Sequence, residues 1–424
     1  MIGFLLKGLF RDRSRSFFPV LTVLGGVTLT VVAFSWIRGT EADIIRANAS
    51  FSTGHLKLTT LGYLTEPEQS ANELAIADMS GALDLLQGTF PEIRWTPRIR
   101  FSGLLDIPDS EGETRAQAPV AGLALDLLNP GSPESEVLNL QRALTSGRLP
   151  LAPDEILVSQ NLAERLGLSL GEQGTLIGTT RFGGLTTANF NIVGTLRFGI
   201  TAMDRGAIVG DVTGIGSPLD MENAAGEILG FFPDQIYRPE LSADMAAEFN
   251  ARHGDPDDEL SLHMSHLRSD EGLATLLDLA GVVTGALIGL FVAVMSIVLW
   301  NAGLMGSLRR YGEFGVRLAV GEKYGHIYGS LLMEAIAIGL LGSLLGTALG
   351  LGISHYLQVH GLSIAPFLKN ASLLISDVLR ARVTPGSYLI GFVPGLMATI
   401  LGAAISGMGI YRRQTSQLAK EFEG

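Results

Sequence analysis

Four long apolar windows constrain this chain more than any other feature of its sequence. They cover residues 17–37, 279–304, 327–356 and 388–411. A helix that crosses the hydrocarbon core of a bilayer needs about 20 predominantly apolar residues, and each window reaches that length. With 47% apolar and 17% charged residues, the chain as a whole also has the composition of a membrane protein. The sequence therefore predicts four transmembrane helices.

The first window shares one property with a secretory signal peptide, because Lys7, Arg11, Arg13 and Arg15 precede it. Its apolar stretch is longer than the roughly 7–15 residues of a signal-peptide core, and three further windows follow. We therefore interpret it as a retained helix. Residues 1–16 alternate apolar and basic faces at helical spacing, which predicts a short amphipathic helix at the inner membrane surface.

Charge is segregated along the chain. Residues 38–275 contain 16 Lys and Arg against 34 Asp and Glu, a net charge of −18. The N-terminus, residues 309–326 and the tail after Tyr411 together contain 11 basic and 5 acidic residues, a net charge of +6. Because Lys and Arg are enriched in cytoplasmic loops, both termini are predicted to be cytoplasmic and the large acidic segment extracytoplasmic. The acidic balance also argues against nucleic-acid binding.

The predicted domain organisation follows from the windows and the charges. The segments are the N-terminal amphipathic helix 1–16, span 17–37, the extracytoplasmic domain 38–275, span 279–304, cytoplasmic loop 305–326, span 327–356, outer loop 357–387, span 388–411 and the cytoplasmic tail 412–424. No proline occurs in residues 20–66 or 272–308, so the first two helices are predicted to continue outward as stalks. Pro394 is expected to kink the last span.

The extracytoplasmic segment has the pattern of a mixed α+β domain. Alternating or continuous apolar runs predict strands at 55–59, 155–158, 190–196, 206–212 and 259–264, and a short helix at 161–166 that ends at Gly167. The predicted fold class is therefore an α-helical membrane protein with four transmembrane helices plus a large mixed α+β extracytoplasmic domain.

Sequence signatures of catalysis are missing. The chain has no P-loop, no G-x-S-x-G elbow, no H-E-x-x-H site and no Cys, which excludes thiol chemistry and Cys-ligated metals. His263 and His266 are three residues apart on a predicted strand, where side chains alternate between faces, so they favour solvated or structural roles over metal ligation. We expect no catalytic residue, no metal site and no cofactor in this chain.

Glycines recur every four residues in two of the windows. The second window contains Gly281, Gly285 and Gly289, and the third contains Gly342, Gly346 and Gly350. Such faces allow helix backbones to approach closely. Packing among the spans of one chain and contact with a second chain explain the spacing equally well.

The loop between the second and third spans predicts a short amphipathic helix. Tyr311, Phe314 and Leu318 form an apolar ridge at i, i+3 and i+7, and Gly321 is suited to end the helix. Such a helix can lie on the lipid surface or dock into a groove of a cytosolic protein.

This loop resembles the inner-loop signature of the MacB/FtsX-type ABC transporter permeases, in which a charged run leads into a glycine-containing helix. The matching residues are Glu313, Gly315, Arg317, Ala319 and Gly321, followed by Leu332-Met333-Glu334-Ala335 in the next helix. The order of one span, a large outer domain and three spans is also that of the family. The resemblance implies a MacB-type periplasmic domain and location in the bacterial inner membrane.

Within the family, the outer domain is most similar to the lipoprotein-releasing LolC/LolE branch. Residues 53–58, 156–172 and 190–194 carry this similarity. In that branch a hairpin can be a hook that receives a periplasmic lipoprotein carrier. Residues 180–188 occupy this position, and the candidate hook residues are Thr180, Phe182, Gly183 and Gly184, the two glycines standing where typical hooks have prolines.

The resemblance further implies a homo- or heterodimer of permease chains in the lipid bilayer. Each chain would bind a cytosolic ABC ATP-binding subunit, which holds ATP and Mg, and movement would pass to the outer domains by mechanotransmission. The implied docking residues on this coupling helix are Arg310, Glu313, Phe314, Arg317 and Gly321.

Several functions remain compatible with the sequence. Lipoprotein release or export is the leading hypothesis, and efflux of amphiphiles or antimicrobial peptides of the MacB kind is the alternative within transport. A regulator of a cell-wall hydrolase, of the FtsX kind, and a membrane-anchored receptor without an ATPase belong to other classes.

Overall fold

The computed structural model of the chain describes residues 13–65, 72–198, 201–269, 271–308, 311–363 and 378–412. The predicted amphipathic segment 1–16 and tail 412–424 therefore lie almost entirely outside the described residues. The chain forms two compact units. One contains the described parts of residues 1–42, 278–362 and 379–424, and the other contains the described parts of residues 43–277 and 363–378.

The helices and strands are numbered in chain order. The helices are α1 Arg13–Asn48, α2 Leu61–Thr65, α3 Met79–Thr89, α4 Glu134–Val137, α5 Leu140–Ala143, α6 Gln160–Leu166, α7 Thr201–Asp204, α8 Val212–Gly216, α9 Pro239–His253, α10 Glu271–Leu308, α11 Tyr311–Ala319, α12 Tyr324–His360, α13 Pro385–Leu389 and α14 Phe392–Arg412. The strands are β1 Leu56–Thr60, β2 Arg94–Pro108, β3 Thr114–Leu125, β4 Leu144–Gly147, β5 Glu155–Ser159, β6 Gln173–Thr179, β7 Leu185–Leu196, β8 Ala207–Asp211, β9 Glu227–Phe231, β10 Leu262–His266, β11 Leu362–Ser363 and β12 Val378–Leu379.

Three of the described helical segments are long and apolar enough to cross a membrane. They are Phe17–Thr53, Tyr324–His360 and Pro385–Ile405. The predicted span 279–304 falls within α10, in which the apolar stretch found among the described residues is the shorter segment Gly281–Val294. The structure thus supports three of the four predicted spans, and the fourth stays a prediction.

The last predicted span is divided rather than continuous. Helix α13 ends at Leu389 and α14 begins at Phe392, so the break lies just before Pro394. Proline has no N–H group, so Pro394 cannot donate to the carbonyl of Ile390, four residues earlier. On either side of the gap, Ile390 N–H donates to Gly386 and Gly395 N–H donates to Gly391. The predicted kink is therefore a helix interruption.

Six strands of the second unit pair in a closed cycle. The order is β2, β3, β8, β5, β7 and β6, and β6 pairs back onto β2. Because side chains alternate along a strand, one set points inward and fills this barrel. The inward set includes Ile99, Phe101, Val120, Ile156, Leu176, Phe190, Ile192 and Ile208, all buried.

Strand β2 also belongs to an open sheet, because its first five residues pair with β9. Strand β9 pairs with β1, and β1 pairs with β10 at the edge. Helices α3 and α9 cover one face of this sheet, where Leu86 and Phe249 pack against Leu58, Ile228 and Met264. The second unit is therefore a barrel joined to an α/β sheet through one long strand.

Most of the predicted short elements are confirmed. Strands β1, β5 and β8 fall within one or two residues of their predicted positions, and β7 is longer than predicted. Ser159 caps the beginning of helix α6, where its hydroxyl accepts from the N–H of Leu162, and Gly167 follows the last helical residue, as predicted. The last strand, predicted at 259–264, is displaced to Leu262–His266 because residues 255–261 form hydrogen-bonded turns.

Candidate functional site

The predicted cytoplasmic helix is present as α11, Tyr311–Ala319. It ends in a Schellman motif, in which Glu322 N–H donates to the carbonyl of Arg317 and Gly321 N–H donates to that of Leu318, both at 3.0 Å. Gly321 has a φ of 97°, a conformation that side chains other than glycine rarely adopt. The motif turns the chain directly into α12, so α11 is joined to a span by only four residues.

The residues predicted to dock a partner have different positions on this segment. Arg310 lies outside the described residues, whereas Glu313 and Phe314 lie in the first turn of α11. Arg317 is in the last turn, with its side chain half-exposed. Val316 and Val320 are also strongly exposed, which sequence inspection missed because neither belongs to the predicted ridge. The helix therefore presents apolar and charged side chains on the same short segment.

The glycines of the third span face the first span of the same chain. A Cβ built on Gly346 would lie 2.7 Å from the carbonyl oxygen of Leu24 and 2.9 Å from the Cβ of Val27. Those built on Gly342 and Gly350 would lie 2.7 and 2.8 Å from the Cβ atoms of Val23 and Val31. Since Cβ atoms do not approach within 3.0 Å, α1 can lie this close only to glycine.

Two further glycines pack against α1. Built Cβ atoms on Gly391 and Gly395 would lie 2.8 and 2.5 Å from methyl groups of Val31 and Val27. Gly391 is in the interruption before α14 and Gly395 is in its first turn, so the chain on both sides of Pro394 lies against α1. These two glycines were not part of the sequence prediction, because they are four residues apart in a segment without a longer repeat.

The glycines of the second window have different surroundings. Gly281, Gly285 and Gly289 on α10 are exposed, and a Cβ on any of them would meet no atom of the described residues within 4 Å. The two glycine faces, which the sequence could not distinguish, therefore have different environments within the chain.

The predicted hook is a tight turn between β6 and β7. Thr180 N–H donates to Gly184 at 2.7 Å, Gly183 N–H donates to Thr180 at 3.0 Å, and residues 185–188 already belong to β7. The loop is thus only five residues long, shorter than the predicted 180–188. Phe182 in this loop is 79% exposed, and Leu185, the first residue of β7, is 86% exposed. Two large apolar side chains are therefore exposed here, and Cζ of Arg181 lies 5.9 Å from the centre of the Phe182 ring.

His55 is a buried titratable group at the start of β1. Its ring stacks on Phe232, and its Nδ1 accepts the backbone N–H of Phe232 at 3.0 Å. Burial lowers the pKa of His55 to about 4, with Asp234 raising it and Arg238 lowering it to smaller extents. The neutral ring is therefore part of the folded structure.

This environment predicts a loss of stability in mild acid. The pKa of His55 is below its unfolded value of 6.5, so the stability that it contributes is complete above pH 6.5 and decreases as the pH falls toward 4. We expect the free energy of unfolding of the full chain in nanodiscs to fall by a few kcal/mol over this range. In His55→Asn, whose amide oxygen can replace Nδ1 as acceptor, that part of the pH dependence should be absent. An unchanged pH profile in this variant would contradict the assignment.

His263 and His266 lie on β10, opposite Thr59 and Leu56 of β1. His266 Nδ1 is 3.1 Å from the hydroxyl of Tyr237. Burial lowers the pKa of both histidines. Within the described residues, no group of three or more His, Asp or Glu side chains is arranged to hold a metal ion.

Comparison with known proteins places the membrane part of the chain in a class. Residues 285–415 match the family model described as FtsX-like permease C-terminal, which covers α11, α12, α13 and α14. This part of the chain is therefore a permease domain. The predicted membership of the MacB/FtsX-type family of ABC transporter permeases is confirmed, and the lipoprotein-releasing branch stays a prediction.

Several relatives carry the name macrolide export ATP-binding/permease protein MacB. That of Wolinella succinogenes is 30% identical over 108 residues, covering 26% of this chain and 16% of the relative. That of Hyphomonas neptunium is 29% identical over 153 residues, covering 36% and 23%. MacB 2 of Yersinia pestis bv. Antiqua (strain Antiqua) is 35% identical over 109 residues, covering 24% and 15%. The matched segments thus span less than a quarter of each relative.

One solved structure is similar in part. The periplasmic region of MacB from Actinobacillus actinomycetemcomitans aligns with 53% of this chain and 93% of that structure, at 13% identity and a TM-score of 0.36.

Proposed function

We propose that the chain is the membrane subunit of an ABC transporter that works by mechanotransmission at the bacterial inner membrane. A separate cytosolic subunit, holding ATP and Mg, would dock on α11. Both termini would be cytoplasmic and the barrel-containing unit periplasmic. The leading cargo is a lipoprotein, released or exported from the inner membrane.

The observation that carries this proposal is the short, hydrogen-bonded connection between α11 and α12. The Schellman turn at Gly321 leads from α11 into α12, which has 37 residues and would be about 55 Å long at 1.5 Å per residue. A force applied to α11 is therefore transferred to a helix that exceeds the thickness of the membrane core. The exposed Val316 and Val320 add apolar area that a docked protein could bury.

A second permease chain is part of the proposal. No atom of the described residues lies within 4 Å of a Cβ built on Gly281, Gly285 or Gly289, so this face has room for another helix, whereas α1 packs against Gly342, Gly346 and Gly350. We therefore assign the dimer contact to α10. Whether the second chain is identical or different does not alter this assignment.

Two cargo classes are supported by different observations. The exposed Phe182 and Leu185 at the β6–β7 turn support contact with a lipoprotein carrier, because an apolar pair of this kind can bind an acyl-binding protein. The names of the MacB relatives support export of a macrolide-like amphiphile instead. Purified complex in proteoliposomes, supplied with ATP, should release a fluorescent lipoprotein in the first case and accumulate a labelled macrolide in the second.

Docking on α11 gives a direct prediction. In the double variant Glu313→Ala, Phe314→Ala, binding of the ATP-binding subunit should weaken at least tenfold, because aromatic and charged anchors contribute most of the energy of such contacts. The measurement is the amount of ATP-binding subunit that co-purifies with the tagged permease.

The control carries two similar changes in the second unit, which contains the barrel. Glu111→Ala, Leu151→Ala removes an exposed acid and an exposed leucine there, and co-purification should be unaffected. If the α11 variant retains the partner as well as the control does, the ATP-binding subunit docks elsewhere.

A further inference from the structure

Glu322 is bound to helices on both sides of the α11–α12 turn. Its Oε2 lies 3.1 Å from Nε of Arg317 in the last turn of α11. Its Oε1 lies 2.5 Å from Nδ1 of His326 in the first turn of α12. Its backbone N–H donates to the carbonyl of Arg317 in the Schellman motif. One residue thus connects the end of one helix with the beginning of the next through three contacts.

Glu322 and Arg317 both carry the charge that suits the helix end next to them. A carboxylate near the beginning of α12 interacts with the positive end of that helix dipole, and Arg317 near the end of α11 interacts with the negative end of the other. Lys323 occupies the position before the first residue of α12, where a cation is unfavourable, and Glu322 adjoins it. Glu322 is only 24% exposed, so its contacts are less screened than those of a fully solvated pair.

We propose that Glu322 is a positioning residue that sets the angle between α11 and α12 and orients Arg317 toward the docked ATP-binding subunit. The expected effect on transport rests on the proposed function, whereas the effect of Glu322 on the angle between the two helices does not. Without the Glu322 contacts, α11 would keep its helical form, because the Schellman hydrogen bonds come from the backbone. Its direction relative to α12 would become variable, and part of the movement of the partner would be lost before it reached the span.

The angle can be measured without any partner. The chain has no cysteine, so Val316→Cys on α11 and Leu344→Cys on α12 provide two exposed, unique sites for spin labels. The distance distribution between the labels should be narrow in the parent and at least twice as broad after Glu322→Gln. The control is Lys323→Gln, the adjacent exposed side chain, which should leave the distribution unchanged. Equal distributions in parent and Glu322→Gln would overturn the proposal.

The functional consequence is measured on the assembled complex. Glu322→Gln should retain the co-purifying ATP-binding subunit while reducing ATP-driven cargo transport about threefold per ATP hydrolysed. Arg317→Gln should give a similar loss, and the double variant should lose no more than either single variant, because both remove the same contact. Additive losses would contradict the role of the Arg317 contact. If the parent chain captures no ATP-binding subunit, the proposed function fails, whereas the label distances still test the geometry.

Discussion

Replacing Glu134 with glutamine should lower the free energy of unfolding of the second unit, which contains the barrel, by about 3–5 kcal/mol, because it leaves a buried arginine without its counter-charge. Glu134 and Arg98 are both 0% exposed. Arg98 donates through Nε and Nη2 to the two carboxylate oxygens, each at 2.7 Å, and Thr96 donates to Oε1 at 3.0 Å. Glutamine has nearly the same shape but carries no charge and turns one acceptor into a donor facing the guanidinium.

The rest of the Arg98 environment increases this cost. Its Nη1 is buried and has no hydrogen-bond partner among the described residues, so Glu134 provides its principal compensation. A charge that has left water and lost its partner keeps the desolvation penalty without the Coulombic gain. A loss of this size should reduce the midpoint of thermal unfolding by about 6–20 °C for a domain of this length. The measurement is tryptophan fluorescence of the full chain in nanodiscs.

A matched control lies two residues away. Glu136 pairs with Arg94 at 2.6 Å but is 57% exposed, and it also accepts from Gln235. Because exposed ion pairs contribute at most about 1 kcal/mol, Glu136→Gln should lower the midpoint by only a few degrees. Equal shifts in the two variants would show that burial does not determine the cost of losing these pairs.

The second large effect is expected from the packing of α1 against α12. Gly346→Leu should destabilise the membrane unit by about 3 kcal/mol, because even the first atom of the new side chain would overlap the backbone of Leu24 and the Cβ of Val27. The flexible end of a side chain can move away, whereas a backbone carbonyl inside a helix cannot. The free energy of unfolding can be measured by titrating the chain with sodium dodecyl sulfate in mixed micelles.

Gly352→Leu provides the control in the same helix. A Cβ at Gly352 would meet no atom of the described residues within 4 Å, so leucine there replaces glycine without a clash. Its higher helix propensity should leave stability unchanged or slightly increased. If both variants are equally destabilised, the cost comes from the leucine side chain itself and not from the close approach of α1.

The elements that the sequence predicts correctly are those whose pattern depends on neighbouring residues. Helix α11 has its apolar residues at helical spacing and a glycine in the position that ends a helix, both of which are local properties. The same holds for α6 between Ser159 and Gly167. The membrane family is also recognisable from this region, because the matched segment 285–415 contains α11 and the helices that follow it.

The strands that build the barrel are the elements that the sequence predicts least well. Strands β2 and β3 together contain 27 residues, yet neither was predicted. Strand β2 includes Pro97, Pro108 and three arginines, and β3 includes Pro119, all of which weaken a strand pattern. Arg98 is tolerated inside the unit only because Glu134, 36 residues later, returns to pair with it. A partner at that distance cannot be read from the local pattern.

The positions of the apolar segments, the short helix α11 and the permease family follow from the amino-acid sequence alone. The sequence also predicts the side of the membrane that each loop faces. These depend on composition and on spacings of a few residues. The folded structure was needed to show which glycine face is filled by the same chain, how six strands close into a barrel and which charges are buried. Each of these depends on the distance between residues far apart in the chain, such as Val27 and Gly346, and that distance exists only after the chain has folded.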